Sequence, residues 1–341
     1  MADQKLAAAD EARPNHSGRN LVFAFKRRAL GRSRGAAILL SLWALFLLSA
    51  MIISWALDIG TKMTNSGYEN RSLEAIAMAC SGVDVAMHPS VQPGWAVLRG
   101  GFGPGQTYEA HITGEAGRLN LNWIVQGIIT GQNRDALREL LRKFLEVKGI
   151  DLNDRDHMID CLIDWIDPDN LVQINGAEDE PGYKPANKPL GNLEELKRVR
   201  GWDEFTSRPN WQDDLTLKSE PGTIDVRWAT RDVLLSLPGM TDGLVDRFLA
   251  LRRGPDDIED TEDDLFNSPQ AVDVNVALGL PTPQIAQLAP LLSPTSNNPS
   301  QAQVLRIVSI GKSGAVTRTV RVVVRKAGGA IQLVPGTWKE L

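Results

Sequence analysis

From Gly35 to Leu57 the chain carries no ionisable side chain. A helix needs roughly 20 apolar residues to cross about 30 Å of hydrocarbon, so this run is long enough to span a bilayer. Lys26, Arg27, Arg28, Arg32 and Arg34 stand immediately before it, and the charges behind it, Asp58, Lys62, Glu69, Arg71 and Glu74, are mixed in sign. The positive-inside rule then keeps residues 1–35 cytoplasmic and exports everything after Asp58. A cleaved secretory signal has a shorter apolar region, about 7 to 15 residues, with its cleavage site after it. Here the candidate processing site precedes the apolar run.

That site is Gly35-Ala36, behind arginines and in front of an intact hydrophobic helix. It resembles the processing site of type IV prepilins and type II secretion pseudopilins. The resemblance implies cleavage after Gly35 by a membrane aspartyl prepilin peptidase, methylation of the Ala36 nitrogen, and a helix that stays in the product. Glycine suits such a site because a residue without Cβ lets a protease approach the backbone closely. A plain single-pass anchor is the simpler alternative. Counted from Ala36, the fifth mature position is Leu40, where most pilins carry a glutamate thought to pair with the terminal amine of the neighbouring subunit. A carboxylate in lipid is costly unless paired, and Leu40 cannot make that pair. The resemblance therefore implies a member with no subunit ahead of it.

About 280 residues follow the membrane segment, enough for one large or two modest domains. The net charge of −5 combines a basic leader with an acidic exported part, which gives nucleic-acid binding no electrostatic support. Of the two cysteines, Cys80 shares a helical stripe with Leu73, Ile76 and Ala77, and Cys161 shares one with Met158, Leu162 and Trp165. This reads as two separate buried thiols, with a single disulfide left open.

The periodicity predicts a helix from Asp58 to about Met87, ended by His88-Pro89 and the glycines between Gly94 and Gly105. Thr107–Ile112 alternates as a strand. Helical patterns follow. Asn133 is placed to cap a helix with Leu137, Leu140, Leu141, Phe144 and Leu145 on one face, and Asp154 to cap another with Met158, Cys161, Leu162, Trp165 and Ile166. Asn192, Thr230 and Thr241 open shorter helices, and Ser268-Pro269 has the form of a cap and first turn. After the linker 293–300, Val304–Ile310 and Val316–Arg325 flank Gly311-Lys312-Ser313-Gly314 and read as a hairpin.

The expected fold class is α+β: a pilin-like long N-terminal helix and small antiparallel sheet, with a large inserted all-α, SAM-like or helix-hairpin-helix-like domain. The expected divisions are a leader at 1–35, a transmembrane half of the stem helix at 36–57, and periplasmic stem and first strands at 58–123. The helical insert occupies 124–292 and the last strands 293–341. Leu193–Gly201 and Val233–Gly239 form a weak internal repeat, the second continuing through Asp246 like a helix-hairpin-helix. Such turns can offer backbone N–H groups to phosphate. In an acidic insert the glycine more simply lets two packed helices turn sharply.

Five motifs in order, Gly117–Asn122, Leu162–Asp169, Gly176–Asp179, Pro185–Leu190 and Glu195–Trp202, resemble the type II secretion minor pseudopilin K family (general secretion pathway protein K). That family shares the Leu40 departure; this chain differs from it at Asp225–Ala229 and in its long leader. The resemblance implies structural calcium in the helical domain, with Asp167, Asp169, Glu178 and Asp179 as the ligands. Calcium takes six to eight oxygens, which loop carboxylates and carbonyls supply, although the spacing is not that of an EF-hand. The competing reading has Asp164 and Asp167 capping or pairing with Asn187, Lys188 or arginines. The run Asp256–Asp264 reads as a solvated loop.

No catalytic pattern surrounds His16, His88, His111 or His157, and the tryptophans Trp123, Trp165, Trp202, Trp211 and Trp228 read as core. The resemblance thus implies a non-enzymatic subunit at the tip of the type II secretion pseudopilus, single-pass in a bacterial inner membrane. Its implied partners are the minor pseudopilins I and J, the major pseudopilin, the prepilin peptidase, and the secretin or cargo; no nucleic acid is expected. The helical insert, too bulky for the body of a close-packed filament, confines it to the apex. The alternative is a single-pass envelope protein whose helix-hairpin-helix-like domain binds DNA or another ligand.

Overall fold

The computed structural model describes residues 34–220, 222–259, 261, 263–266, 273–293, 303–327 and 329–341. The chain divides into two compact units, Met1–Met63 and Thr64–Leu341. Helix α1 runs from Arg34 to Ala86. Within the first unit its apolar side chains, Leu40, Trp43, Phe46 and Trp55 among them, are all exposed. Among the described residues this is the one helix long and apolar enough to cross a membrane. The leader before Arg34 lies outside the described residues.

The second unit is built on an antiparallel sheet. Its strands are β1 (Arg99–Gly103), β2 (Gln106–Gly114), β5 (Gln303–Ser313), β6 (Val316–Ala327) and β7 (Ala330–Leu333), adjacent in that order, with β8 (Lys339–Glu340) also paired to β6. β2 and β5 are neighbours along their whole length, from Gln106 opposite Ser313 to Gly114 opposite Leu305. Nearly 190 residues of sequence separate these two strands, and the helices described below fall in that interval.

The last turns of α1 pack on one face of the sheet. The sequence pattern favoured Leu73, Ile76, Ala77 and Cys80 as the buried stripe. The buried residues are instead Ala75, Ala79, Val83 and Ala86, while Leu73 is 66% exposed. Backbone approach explains the difference. A Cβ on Gly311 would collide with the α1 backbone at Ala75 and Ala79, and one on Gly82 would collide with the Ser309 hydroxyl. Only a small-residue face lets helix and sheet come this close. Ala79, Val83 and Ala86 join Ala110, Ile112, Ile307, Val320, Val322 and Val324 in one core. Glu74 fixes the contact by accepting from Ser313 Oγ at 2.6 Å and Gln106 Nε2 at 3.2 Å, and these donors hold its carboxyl below the usual range.

The β5–β6 hairpin is tighter than its sequence suggests. Ser313 pairs with Val316, so Gly311 to Ser313 belong to β5 and the turn is Gly314-Ala315, with Gly314 at φ 57°. A two-residue loop with positive φ at its first position matches the twist of paired strands.

Between β2 and β5 the chain forms β3 (Leu119–Asn120), α2 (Leu121–Thr130), α3 (Arg134–Val147), α4 (Leu152–Ile166), a 3-10 turn (Leu193–Arg198) and α5 (Asp203–Ser207). After these come β4 (Leu215–Thr216), α6 (Arg231–Ser236), α7 (Asp242–Arg252), α8 (Val274–Leu278) and α9 (Thr282–Leu288). One hydrophobic core runs through them, including the predicted faces of α3 and α4, with Trp165, Trp202 and Phe205 fully enclosed. Trp202 Nε1 donates to Met158 O at 2.8 Å, which satisfies the indole inside that core. Asn192 with Glu195 forms a capping box, and Thr230 and Thr241 cap α6 and α7. Asn133 and Asp154 do not cap as their positions suggest. Asn133 sits in the left-handed region at φ 60° with no side-chain cap bond, and α4 starts three residues early, after Asp151. Ser268-Pro269 lies outside the described residues.

The helical part meets the sheet on the face opposite α1. Trp228 lies so close over Gly114 and Gly117 that a Cβ at either would collide with it. Beneath it Arg306 of β5 forms a two-pronged pair with Glu115, Nη2–Oε1 2.7 Å and Nε–Oε2 2.8 Å, and Thr216 Oγ1 donates to the same carboxylate at 2.6 Å. All three side chains are buried. Burial alone would raise the Glu115 pKa, and Arg306 and Arg118 overcome it and hold the carboxylate ionised.

Candidate functional site

The loop from the end of α4 to Pro189 gathers carboxylates because α4 stops at Asp167, with Pro168 ruling out another helical turn. The chain then folds back so that Gly176 packs on the Asp164 carboxylate so closely that no Cβ fits there. Asp160 is fully accounted for: it pairs with Arg138 Nη2 at 2.7 Å and accepts from Asn175 N and Nδ2 at 3.1 and 3.0 Å. Asp164 accepts from the Gln173 backbone N–H at 3.1 Å and from that of Ala177. It therefore organises the loop through backbone donors, not through Asn187, Lys188 or an arginine.

Asp167 and Glu178 are different. Both are 4% exposed, yet Asp167 Oδ1 and both Glu178 oxygens have no hydrogen-bond partner. Burial, reinforced by the neighbouring carboxylates, pushes Asp167 up to about 6 and Glu178 up to about 7. The charges acting on Glu178 are those of Asp164, Asp167, Asp169 and Asp179, so the structure brings all four predicted ligands into one neighbourhood. Asp169 and Asp179 are exposed at its edge, and Asp169 Oδ1 accepts from Leu171 N at 2.8 Å. Asn187, held at φ 47°, donates to Asp169 O and Asn170 Oδ1, and its own Oδ1 is buried without a partner.

Buried, unpaired oxygens from Asp167 and Glu178 are the donor chemistry a hard divalent cation needs, and their spread over a loop suits calcium's flexible geometry. Among the described residues no three His, Cys, Asp or Glu side chains already converge as a finished metal cluster. A cation would thus draw the loop together rather than enter a rigid cage. Asp164 and Asn187 were not among the expected ligands. Both fall inside motifs quoted from the sequence, Asp164 near the end of its helix and Asn187 between two prolines, but nothing local marks them as organisers of the loop.

At the other end of the chain Gly35 and Ala36 lie in the first turn of α1, exposed, and a Cβ on Gly35 would meet nothing. Leu40 is 72% exposed on the same apolar helix. The helix-hairpin-helix-like turn does not offer an open phosphate cradle. Gly239, at φ 83°, packs against Gln284 of α9, and the Arg231 guanidinium is bound to Asp242 and Asp246 at 2.7 and 3.1 Å. Cys80 and Cys161 are both free thiols. Burial pushes Cys161 up to about 12, which leaves it an unreactive neighbour of His157.

A long amphiphilic helix, a sheet packed on its second half and a helical domain inserted between two paired strands define a pilin-like α+β protein. A family model described as type II secretion system, protein K matches residues 117–208. Type II secretion system protein K of Klebsiella pneumoniae is 33% identical over 109 residues, covering 29% of this chain and 32% of that protein. The protein K of Dickeya chrysanthemi is 33% identical over 67 residues, 19% of each chain. The chain therefore aligns with a third or less of the length of these curated relatives. A chain in the crystal structure of the GspK-GspI-GspJ complex from the enterotoxigenic Escherichia coli type 2 secretion system shares the fold. That match has a TM-score of 0.50 at 16% identity, over 82% of this chain and 99% of that one. The family model and the curated relatives are all of type II secretion system protein K, and the solved structure shares the fold.

Proposed function

We propose that the chain is a non-enzymatic minor pseudopilin that caps the tip of a type II secretion pseudopilus. The observation that carries the reading is the insertion of a whole helical domain between β2 and β5, neighbouring strands of a sheet that sits on the stem helix. A subunit so enlarged suits the end of a filament better than its close-packed body. Leu40 supports the same position, because an apolar side chain cannot pair with the amine of a preceding subunit.

In this account the prepilin peptidase cuts between Gly35 and Ala36 and the new amine is methylated. The segment 36–57 stays in the inner membrane with the second unit in the periplasm. The solved relative comes from a GspK-GspI-GspJ complex, and the corresponding minor pseudopilins are the proposed partners here. Together they would start assembly of the major pseudopilin and meet the secretin or cargo. Calcium is the proposed structural ion, held by Asp167 and Glu178 with Asp169 and Asp179 at the edge. When bound it would cancel the mutual repulsion of these carboxylates and tie the end of α4 to the loop at Glu178. Co-purification from membranes tests the reading. Recovery of the full chain with minor pseudopilins I and J supports it, and recovery of the chain without either, under conditions that preserve their own association, would sink it.

A further inference from the structure

Between the 3-10 turn at Leu193, the segment Gln212–Lys218 and the outer face of β5 and β6 lies an open cleft of about 290 Å³. Its lining carries four cations, Lys218, Arg306, Arg321 and Lys339, and a single carboxylate, Glu115. The alternation of the strands brings them together. Val320, Val322 and Val324 point into the core under α1, so the intervening Arg321 and Val323 face the cleft.

These cations are not equally committed. Glu115 is consumed by the buried Arg306 pair. Arg321 shares its charge with Asp213, Nη1–Oδ1 2.9 Å, whose side chain is half exposed. The Lys339 ammonium donates to the neutral Gln212 Oε1, at 2.7 Å, and Gln212 in turn donates to the Glu194 carboxylate; among the described residues no carboxylate, Glu194 included, stands within ion-pair distance of Lys218 or Lys339. Burial, reinforced by Arg321 and Arg306 and opposed by Glu194, lowers the Lys339 pKa. The cleft also has an apolar side in Leu193, Leu217, Val323 and Pro335.

We infer that this cleft is a docking site for an acidic peptide segment, one Asp or Glu side chain or carboxy terminus reaching Lys218 and Lys339 while its backbone lies on the apolar side. The volume falls at the lower end of small-ligand pockets and suits one side chain with its flanking backbone. Two lysines act as point charges with no guanidinium fork left to grip a tetrahedral phosphate ester, since both arginines already hold carboxylates. The inference stands on the cleft alone and does not depend on a role in secretion.

The test uses the full chain in detergent micelles and a fluorescein-labelled peptide, Gly-Gly-Asp-Glu-Gly-Gly, followed by anisotropy. The peptide is expected to bind, its Asn-Gln counterpart at least tenfold more weakly, and affinity is expected to fall as salt rises. Lys218→Gln with Lys339→Gln should weaken binding at least tenfold. Lys218→Gln alone, at an exposed side chain whose loss leaves the fold intact, should weaken it about threefold. Millimolar inorganic phosphate at constant ionic strength should not displace the peptide. Equal binding of the two peptides, unchanged affinity in Lys218→Gln, or displacement by phosphate would each overturn the assignment.

Discussion

Glu178→Gln should stabilise the protein in the absence of calcium at pH 8 and do nothing at pH 5. The Glu178 carboxyl is buried with neither oxygen paired, and its pKa is pushed from 4.5 up to about 7. A carboxyl whose folded pKa is raised binds more protons folded than unfolded, so its contribution to stability is greatest below about pH 4.5 and is lost as pH rises through 7. At about 1.4 kcal/mol per unit the rise from 4.5 to about 7 makes the full loss roughly 3–4 kcal/mol. Water reaching the loop edge and the unpaired amide of the replacement reduce the expected gain to about 1–2 kcal/mol. For a unit of this size that is roughly 2–4 °C in Tm. The assay is thermal unfolding of the full chain with a calcium chelator, from pH 5 to 8. Calcium should reverse the order. At a hundredfold excess over its dissociation constant it would stabilise the wild type by about 2.7 kcal/mol and leave Glu178→Gln unmoved. A variant less stable than wild type at pH 8 with chelator present would refute the reasoning, because the carboxylate would then have a favourable partner.

Gly311→Val should destabilise the second unit by about 1–3 kcal/mol, since its Cβ meets the α1 backbone and not a mobile side chain; a chemical melt reads it directly. Glu115→Ala strands Arg306 and Arg118 as buried charges and should cost about 3–5 kcal/mol, whereas replacing both Glu115 and Arg306 by apolar residues should cost distinctly less. Trp202→Ala opens the helical core and should cost about 3–5 kcal/mol in the same melt.

Helices α3, α4, α6 and α7 were legible because their apolar residues recur at helical spacing and bury against one core. The capping residues Asn192, Thr230 and Thr241 were legible for the same local reason. Asn133 and Asp154 show the limit of that logic, since a capping residue type does not reveal that the backbone turns left-handed at Asn133 or that α4 already starts after Asp151. The buried face of α1 was missed because hydrophobicity ranks Leu73 and Ile76 above Ala75 and Ala79. Close approach to Gly311 on a strand more than 200 residues later decides the matter instead. Gathering of the carboxylates around Glu178 came from the motif resemblance, but that Asp160 and Asp164 are satisfied while Asp167 and Glu178 are not depends on where Gln173, Asn175 and Arg138 fold. The cationic cleft left no trace, because Lys218, Arg321 and Lys339 are brought together only by the sheet.

The mature amino terminus tests the central claim most directly. Intact mass and terminal sequencing of the chain recovered from membranes, expressed with a prepilin peptidase, should give an N-methylated Ala36 start with the apolar helix retained. A chain still beginning at Met1, or one cut beyond Leu57, would contradict it.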